Sequence, residues 1–299
     1  MYYRKESYNP LAVKVMPRQH YQRKSTDHQK GNWHKKLKED FIAVEEPLQI
    51  SLTYYDLAKQ QYQTKILTIT MRTPGDDRAL IHGFLLCEGI INDKNDITDC
   101  EFDTQQHQGN AVCVVLAKHV QPNWLAIERQ FTSHSSCGIC GKTSLNALQL
   151  KAPITLTENM TENMTTISSQ SIFKLPEQLR QHQAIFSQTG GLHAAGLYYA
   201  DKFLSIAEDI GRHNAVDKVI GMHCLTNTNN ERTILVLSGR ISFELVQKAI
   251  MANIHIIVAV GAPSALTITA AQKFNVTLIG FTKTDSFNVY HGDWRIKEE

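Results

Sequence analysis

Between residues 203 and 281, four short apolar runs (203–207, 233–237, 255–260 and 276–281) alternate with helix-length segments. That alternation constrains the fold more than any other feature. Strands buried on both faces and separated by helices predict a largely parallel sheet with helical cover. In such sheets ligands bind beyond the carboxyl ends of the strands, where backbone amides and helix starts collect anions. Four segments fall at such places: Ser238-Gly239-Arg240-Ile241-Ser242, Gly261-Ala262-Pro263-Ser264, the run 281–286, and Asp209-Ile210-Gly211-Arg212-His213. Arg212, Arg240 and Lys283 together suit a phosphate-bearing ligand, although each alone reads as a surface cation.

The 299 residues predict about two domains. Ten Lys and Arg stand in residues 1–40 against Glu6, Asp27, Glu39 and Asp40, which predicts a basic, disordered tail or a docking arm for an acidic partner. Nucleic acid is not predicted, because little besides Tyr21 and Trp33 interleaves with the basic residues and no reader motif follows. An N-terminal α/β domain is expected over 41–130. Its strands lie at 41–52, interrupted by Glu46-Pro47, at 64–71 and at 111–117; a helix over 77–88 follows the Thr73-Pro74-Gly75-Asp76 turn and stops at Gly89. A loop and helix are expected over 131–150, and a linker plus an α/β cofactor-binding domain over 151–299. The linker carries the near-repeat Thr157-Glu158-Asn159-Met160 and Thr161-Glu162-Asn163-Met164, with no chemistry implied. The longest apolar run, 254–260, is too short for a bilayer, which needs about 20 residues. Six cysteines without a regular framework, and an opening Met1-Tyr2-Tyr3-Arg4-Lys5 without a secretory pattern, predict a reducing, cytoplasmic setting.

Cys87, Cys100, Cys113 and Cys224 stand singly; Cys87 and Cys113 read as packed small hydrophobes. Cys137-Gly138-Ile139-Cys140-Gly141 is different, with two thiols three apart between glycines and just ahead of a helix start at Thr143 or Ser144. A thiol reacts as the thiolate, and lowering a pKa from about 8.5 to about 7 takes roughly 2 kcal/mol, whereas an exposed helix start supplies about 0.3–1. Direct hydrogen bonds or a cation such as His134 must add the rest. Structural zinc needs a second Cys or His pair at short spacing, and none is visible, so no metal is predicted. Thiol–disulfide exchange stays open. A phosphate-binding loop is rejected, since Ser136 stands where its first glycine belongs.

Four segments now stand in order: Cys137-Gly-Ile-Cys140-Gly, Thr189-Gly-Gly-Leu-His193-Ala-Ala, the run from Glu208 through Gly211-Arg212-His213-Asn214 to Lys218, and Ser238-Gly-Arg-Ile-Ser-Phe-Glu244. They resemble the formate dehydrogenase accessory sulfurtransferase family, and Met71-Arg-Thr-Pro-Gly-Asp76 agrees. The resemblance implies a sulfur carrier that takes sulfur from a cysteine desulfurase as a persulfide on Cys137, with Cys140 an accessory thiol. The sulfur goes to the molybdenum cofactor, a bis-molybdopterin guanine dinucleotide, needed by formate dehydrogenase. The implied cofactor-binding residues are Phe281, Thr282, Lys283, Thr284, Asp285 and Ser286; Ser286 stands where the family commonly has a basic residue. A homodimer is also implied, as is a C-terminal domain similar to the cytidine deaminase fold. Deamination itself is excluded, because His193 is followed by Ala194-Ala195 rather than x-Glu and no Cys pair lies downstream. His193 reads equally as a structural histidine or a ligand contact. Two rival classes remain: a cofactor-binding chaperone without sulfur chemistry, and a thiol–disulfide oxidoreductase.

Overall fold

The computed structural model describes residues 11–23, 33–105, 107, 109–125, 127, 165–226 and 232–298. Cys137, Cys140 and the loop, helix and near-repeat expected around them lie outside the described residues.

The described chain opens on β1 (Val13–Arg23) and β2 (Trp33–Ala43), an antiparallel ribbon paired from Val13↔Ala43 to Arg23↔Trp33. Residues 13–23 and 33–40 of the expected disordered tail are thus paired strand. Composition measures how little a segment can bury, but two strands can pair through their main chains without a core of their own. Alternation places Val15, Tyr21, Leu37 and Phe41 on one face and Lys14, Arg18, Lys36 and Lys38 on the other. Buried Ala12 and Val13 fasten the ribbon to the body, and Val44 N–H donates to the Ala12 carbonyl.

β3 (Glu46–Asp56), β4 (Gln61–Arg72), α1 (Asp77–Cys87), β5 (Ile97–Phe102) and β6 (Ala111–Leu116) follow. The strands form a sheet in the order β4-β3-β6-β5. Leu48, Ile50 and Leu52 of β3 and Val112, Val114 and Leu116 of β6 face Leu80, Ile81 and Leu85 of α1 in one core. The helix starts at the expected turn, where Asp76 is left-handed, and stops at Gly89. The strand break falls before Glu46, and Pro47 pairs with Met71 inside β3. Cys87 is packed, as expected, and burial pushes its thiol pKa well up.

The remaining elements are β7 (Ile167–Ser168), α2 (Ser169–Gln181), α3 (Ala184–Thr189), β8 (His193–Tyr199), β9 (Lys202–Asp209), α4 (Arg212–Leu225), β10 (Ile234–Leu237), α5 (Phe243–Met251), β11 (Ile256–Ala259), α6 (Ala265–Lys273), β12 (Thr277–Gly280), β13 (Asn288–His291) and β14 (Ile296–Lys297). The large sheet runs β13-β12-β11-β10-β8-β9. Only β10, β11 and β12 are mutually parallel; β8, β9 and β13 join antiparallel. The expectation of a largely parallel sheet therefore holds for the centre alone. Ala200 and Asp201, both left-handed, make a two-residue turn that folds β8 back on β9 as a hairpin, which the run 203–207 alone did not reveal. One sheet face packs on α4, α5 and α6, the other on Ile172, Leu175 and Leu179 of α2.

The two sheets are joined through α1 and α4, which cross with their backbones in contact. A Cβ at Gly83 would overlap the Asp217 carbonyl, and one at Gly221 would overlap the Ala79 carbonyl. Around this crossing lies a buried polar network. Asp209 pairs with Lys218 at 2.7 Å and accepts from Thr73 N–H at 3.1 Å, while Lys218 donates to the Thr73 carbonyl at 2.9 Å. Asn214 donates to the Met71 carbonyl at 2.7 Å and to Asp209 at 3.1 Å. Lys248 reaches Asp217 at 2.8 and 2.9 Å. Much of the polar sequence in 71–76 and 208–218 is thus structural, satisfying groups that burial would otherwise leave costly.

Candidate functional site

The loops after β10, β11 and β12 meet at one end of the sheet. Gly261 N–H donates to the Gly239 carbonyl at 3.1 Å, and Phe281 N–H to the Gly261 carbonyl at 3.2 Å. The approach is so close that a Cβ on Gly261 would lie 2.7 Å from the Gly239 carbonyl oxygen. Pro263 bridges to Ile241, and Ser264 caps α6 by accepting from Thr267 N–H, as the Pro-Ser start predicts. Phe281 is left-handed and 44% exposed, a conformation unusual for an aromatic residue. It turns the chain so that 283–286 lie exposed, while Thr282 stays buried with its hydroxyl lacking a hydrogen-bond partner.

His193, at the start of β8, stands beside this end, its Nδ1 3.2 Å from where a Gly239 Cβ would be. Burial first, then the charges of Arg212 and Arg240, depress its pKa. The ring is therefore neutral near pH 7 and lies in a field that favours anions. Arg212 is half-buried with its Nε lacking a hydrogen-bond partner. Glu244 sits near His213, 3.9 Å away; burial alone would raise its pKa, but hydrogen bonds from Ser242 and its own amide bring it below the usual value.

A cleft of about 690 Å³ opens between these strand ends and α2–α3. Ser238, Val260, Thr284 and His193 line one side; Pro176, Leu179, Arg180, Phe186 and Gly190 to Leu192 line the other. Arg180 lies 3.9 Å over the Phe186 ring. Mostly apolar walls, with Glu177 and Arg180 on the α2 side and the field of Arg212 and Arg240 at His193, suit an elongated ligand carrying a planar ring and phosphates. The charges of Arg212 and Arg240 beside His193, and the exposed Lys283 next to Thr284, suit the phosphate part of such a ligand.

Thus the expected segment 281–286 borders the cleft, contributing Thr284 to its lining, and two of the other three segments picked out at strand ends, 238–242 and 261–264, gather with it. Cys137 and Cys140 lie outside the described residues. Sequence reasoning missed the α2–α3 wall. Local signals were the Ser168 cap with Ile172, Leu175 and Leu179 at helical spacing for α2, and the Gly190-Gly191 pair, whose first member is the left-handed stop of α3. Among the described residues no group of three or more His, Cys, Asp or Glu could hold a metal ion, and no helix is long and apolar enough to cross a membrane.

Comparison with known proteins matches this arrangement to one group. A protein from Mycobacterium tuberculosis named sulfur carrier protein FdhD is 40% identical over 263 residues, covering 83% of this chain and 89% of its own. Its namesake from Streptomyces coelicolor is 40% identical over 265 residues (86% and 89%), and that from Picrophilus torridus 39% over 259 residues (86% and 92%). A solved structure described as a formate dehydrogenase accessory protein from Desulfotalea psychrophila shares the fold, with a TM-score of 0.66 at 20% identity over 95% of this chain and 99% of that one. The family model described as the FdhD/NarQ family matches residues 43–297, and on these grounds the chain belongs to the FdhD/NarQ family.

Proposed function

We propose that this protein is a sulfur carrier for formate dehydrogenase maturation. Cys137 takes sulfur from a cysteine desulfurase and passes it to the molybdenum cofactor, the bis-molybdopterin guanine dinucleotide that formate dehydrogenase requires. The observation that carries this reading is the cleft at the strand ends, lined by Thr284 of the segment Phe281, Thr282, Lys283, Thr284, Asp285 and Ser286 and by His193, whose ring lies in the field of Arg212 and Arg240. The names of its relatives support it.

In the first step the Cys137 thiolate attacks the outer sulfur of the desulfurase persulfide. The sulfur–sulfur bond there breaks, the desulfurase cysteine leaves as thiolate, and Cys137 carries the persulfide. In the second, the sulfur–sulfur bond of the Cys137 persulfide breaks with its electron pair left on Cys137 as thiolate, and the outer sulfur passes at the sulfane level to the cofactor, the substrate of the transfer, which supplies the electron pair of the new bond. Gly138 and Gly141 permit the backbone turns a loop needs to serve two partners. The chain's described residues do the holding: Arg212, Arg240 and Lys283 take the phosphates, and the neutral His193 packs beside Gly239 at the strand end. Proximity of thiol and bound cofactor is the gain from combining both in one chain. Cys140 serves as the accessory thiol, the protein acts in the cytoplasm, and it pairs with a second copy.

The deciding experiment is reconstitution of apo-formate dehydrogenase with desulfurase, cysteine, cofactor and this protein. Activity that depends on the protein and is lost in Cys137→Ala is expected. Full activation by a Cys137→Ala/Cys140→Ala variant would make it a chaperone without sulfur chemistry. Equal need for both thiols, with reduction of model disulfides, would make it an oxidoreductase.

A further inference from the structure

Glu208 and Asp209 are consecutive at the end of β9, so their side chains leave on opposite sides of the strand. Asp209 enters the buried joint with Thr73 and Lys218. Glu208 goes to the cleft wall instead, accepting from Phe186 N–H at 2.7 Å and Ile185 N–H at 2.9 Å. Those amides belong to the first turn of α3, where helical amides lack partners within the helix. α3 is six residues long, buries none of them, and has no side-chain cap at its own N-cap residue, Gln183. Its far end is closed by Gly190 N–H donating to the Phe186 carbonyl at 2.7 Å. The carboxylate thus holds the first turn of a short helix that also lies against β2.

We infer that Glu208 is a positioning residue: by holding the first turn of α3 it fixes Phe186, with the Arg180 guanidinium stacked on its ring, as a flat wall for the planar heterocycle of the bound ligand. This rests on the cofactor reading given above and extends it to the non-phosphate end of the ligand. The physical basis is the shape of that wall. With the Arg180 Cζ 3.9 Å over the centroid of the Phe186 ring, phenyl and guanidinium together form a weakly hydrated, cationic surface. Such surfaces take the π-face of a nucleobase, and the strand-end cations across the cleft remain for its phosphates. Glu208 itself touches no ligand. It also ties the wall to the joint, since the next residue in the strand belongs to the Thr73–Asp209–Lys218 network.

The test uses the full chain, with GDP and inorganic pyrophosphate as probes in calorimetry, and hydrogen exchange of the Ile185 and Phe186 amides without ligand. Native protein should bind GDP more tightly than pyrophosphate. Phe186→Ala should weaken GDP about tenfold, the size of one base–aromatic stack, and leave pyrophosphate unchanged, while Phe186→Trp keeps GDP binding. Glu208→Ala should weaken GDP by a similar factor, spare pyrophosphate and speed exchange of both amides. Glu208→Gln, which keeps one acceptor oxygen, should fall between and serves if the alanine variant fails to fold. Equal losses for both probes, or unchanged exchange in the Glu208 variants, would overturn the positioning role. Native protein that binds both probes equally would refute the flat wall and leave the cofactor reading standing. Native protein that binds neither would refute both.

Discussion

Replacing Gly221 by alanine should destabilise this protein, although the same change in an ordinary helix interior stabilises. Gly221 lies inside α4, and the added methyl would overlap the Ala79 carbonyl of α1. Carbon and oxygen need about 3.5 Å, so the two helices would have to part by roughly 1.5 Å. Overpacking of this kind costs about 1–3 kcal/mol. Parting the helices also stretches the 2.8 Å Lys248–Asp217 and 2.7 Å Lys218–Asp209 pairs that flank the crossing. Charge-assisted hydrogen bonds contribute about 1.5–3 kcal/mol each, of which a stretched bond loses part. Against this, alanine gains about 1 kcal/mol of helix propensity over glycine. The net expectation is a loss of about 2–4 kcal/mol, read in urea as a first transition lowered by roughly 1 M. Gly83→Ala should behave alike, and the double variant should lose less than the sum, because helices already parted accommodate the second methyl. A Gly221→Ala protein whose midpoint stays or rises would refute the close crossing and the joint built on it.

Other consequences are open to direct measurement. Lys248→Met leaves the buried Asp217 carboxylate unpaired and should cost about 3–5 kcal/mol in urea unfolding, with Asp217→Asn added to it restoring part of the loss. Burial raises the Asp217 pKa to about 6, so that carboxylate depends on its partner. Lys283→Ala and Arg240→Ala should each weaken pyrophosphate binding about tenfold by calorimetry, and a loss confined to low salt concentrations would contradict a direct contact. The His193 pKa is depressed by burial and by Arg212 and Arg240. An anion bound at the strand ends offsets those charges and raises it, so binding takes up protons and affinity for pyrophosphate should increase as pH falls below the ordinary histidine value of about 6.5. Calorimetry in buffers of different ionisation enthalpy would detect that uptake; proton release on binding would contradict it.

What the sequence revealed, and what it withheld, follows from how local each signal is. The strands at 234–237, 256–259 and 277–280 and the helix starts after them were legible because apolar runs and cap residues are contiguous in the chain. The β8–β9 hairpin was not, since its turn uses Ala200 and Asp201 in left-handed geometry rather than a glycine pair. The ribbon at 13–43 was hidden because charge dominates its composition while alternation is carried by a few residues such as Val15, Leu37 and Phe41. At the site, the cationic strand ends were readable one loop at a time. The opposite wall depends on Glu208 reaching Ile185 and Phe186, 23 and 22 residues away, and no spacing in the sequence announces such a contact. Asp209, Asn214 and Lys218 look like site residues in a motif, yet their partners Thr73 and Met71 make them the joint between the two sheets.

The measurement that bears most directly on the central claim is intact-protein mass spectrometry after incubation with a cysteine desulfurase and free cysteine, on the native chain and on Cys137→Ala and Cys140→Ala. The account predicts a gain of one sulfur, removed by reductant, present in the native chain and in Cys140→Ala and absent in Cys137→Ala. A gain that survives in Cys137→Ala would contradict the carrier assignment. No gain in any form, with a desulfurase that turns over on small thiols, would contradict sulfur transfer by this protein.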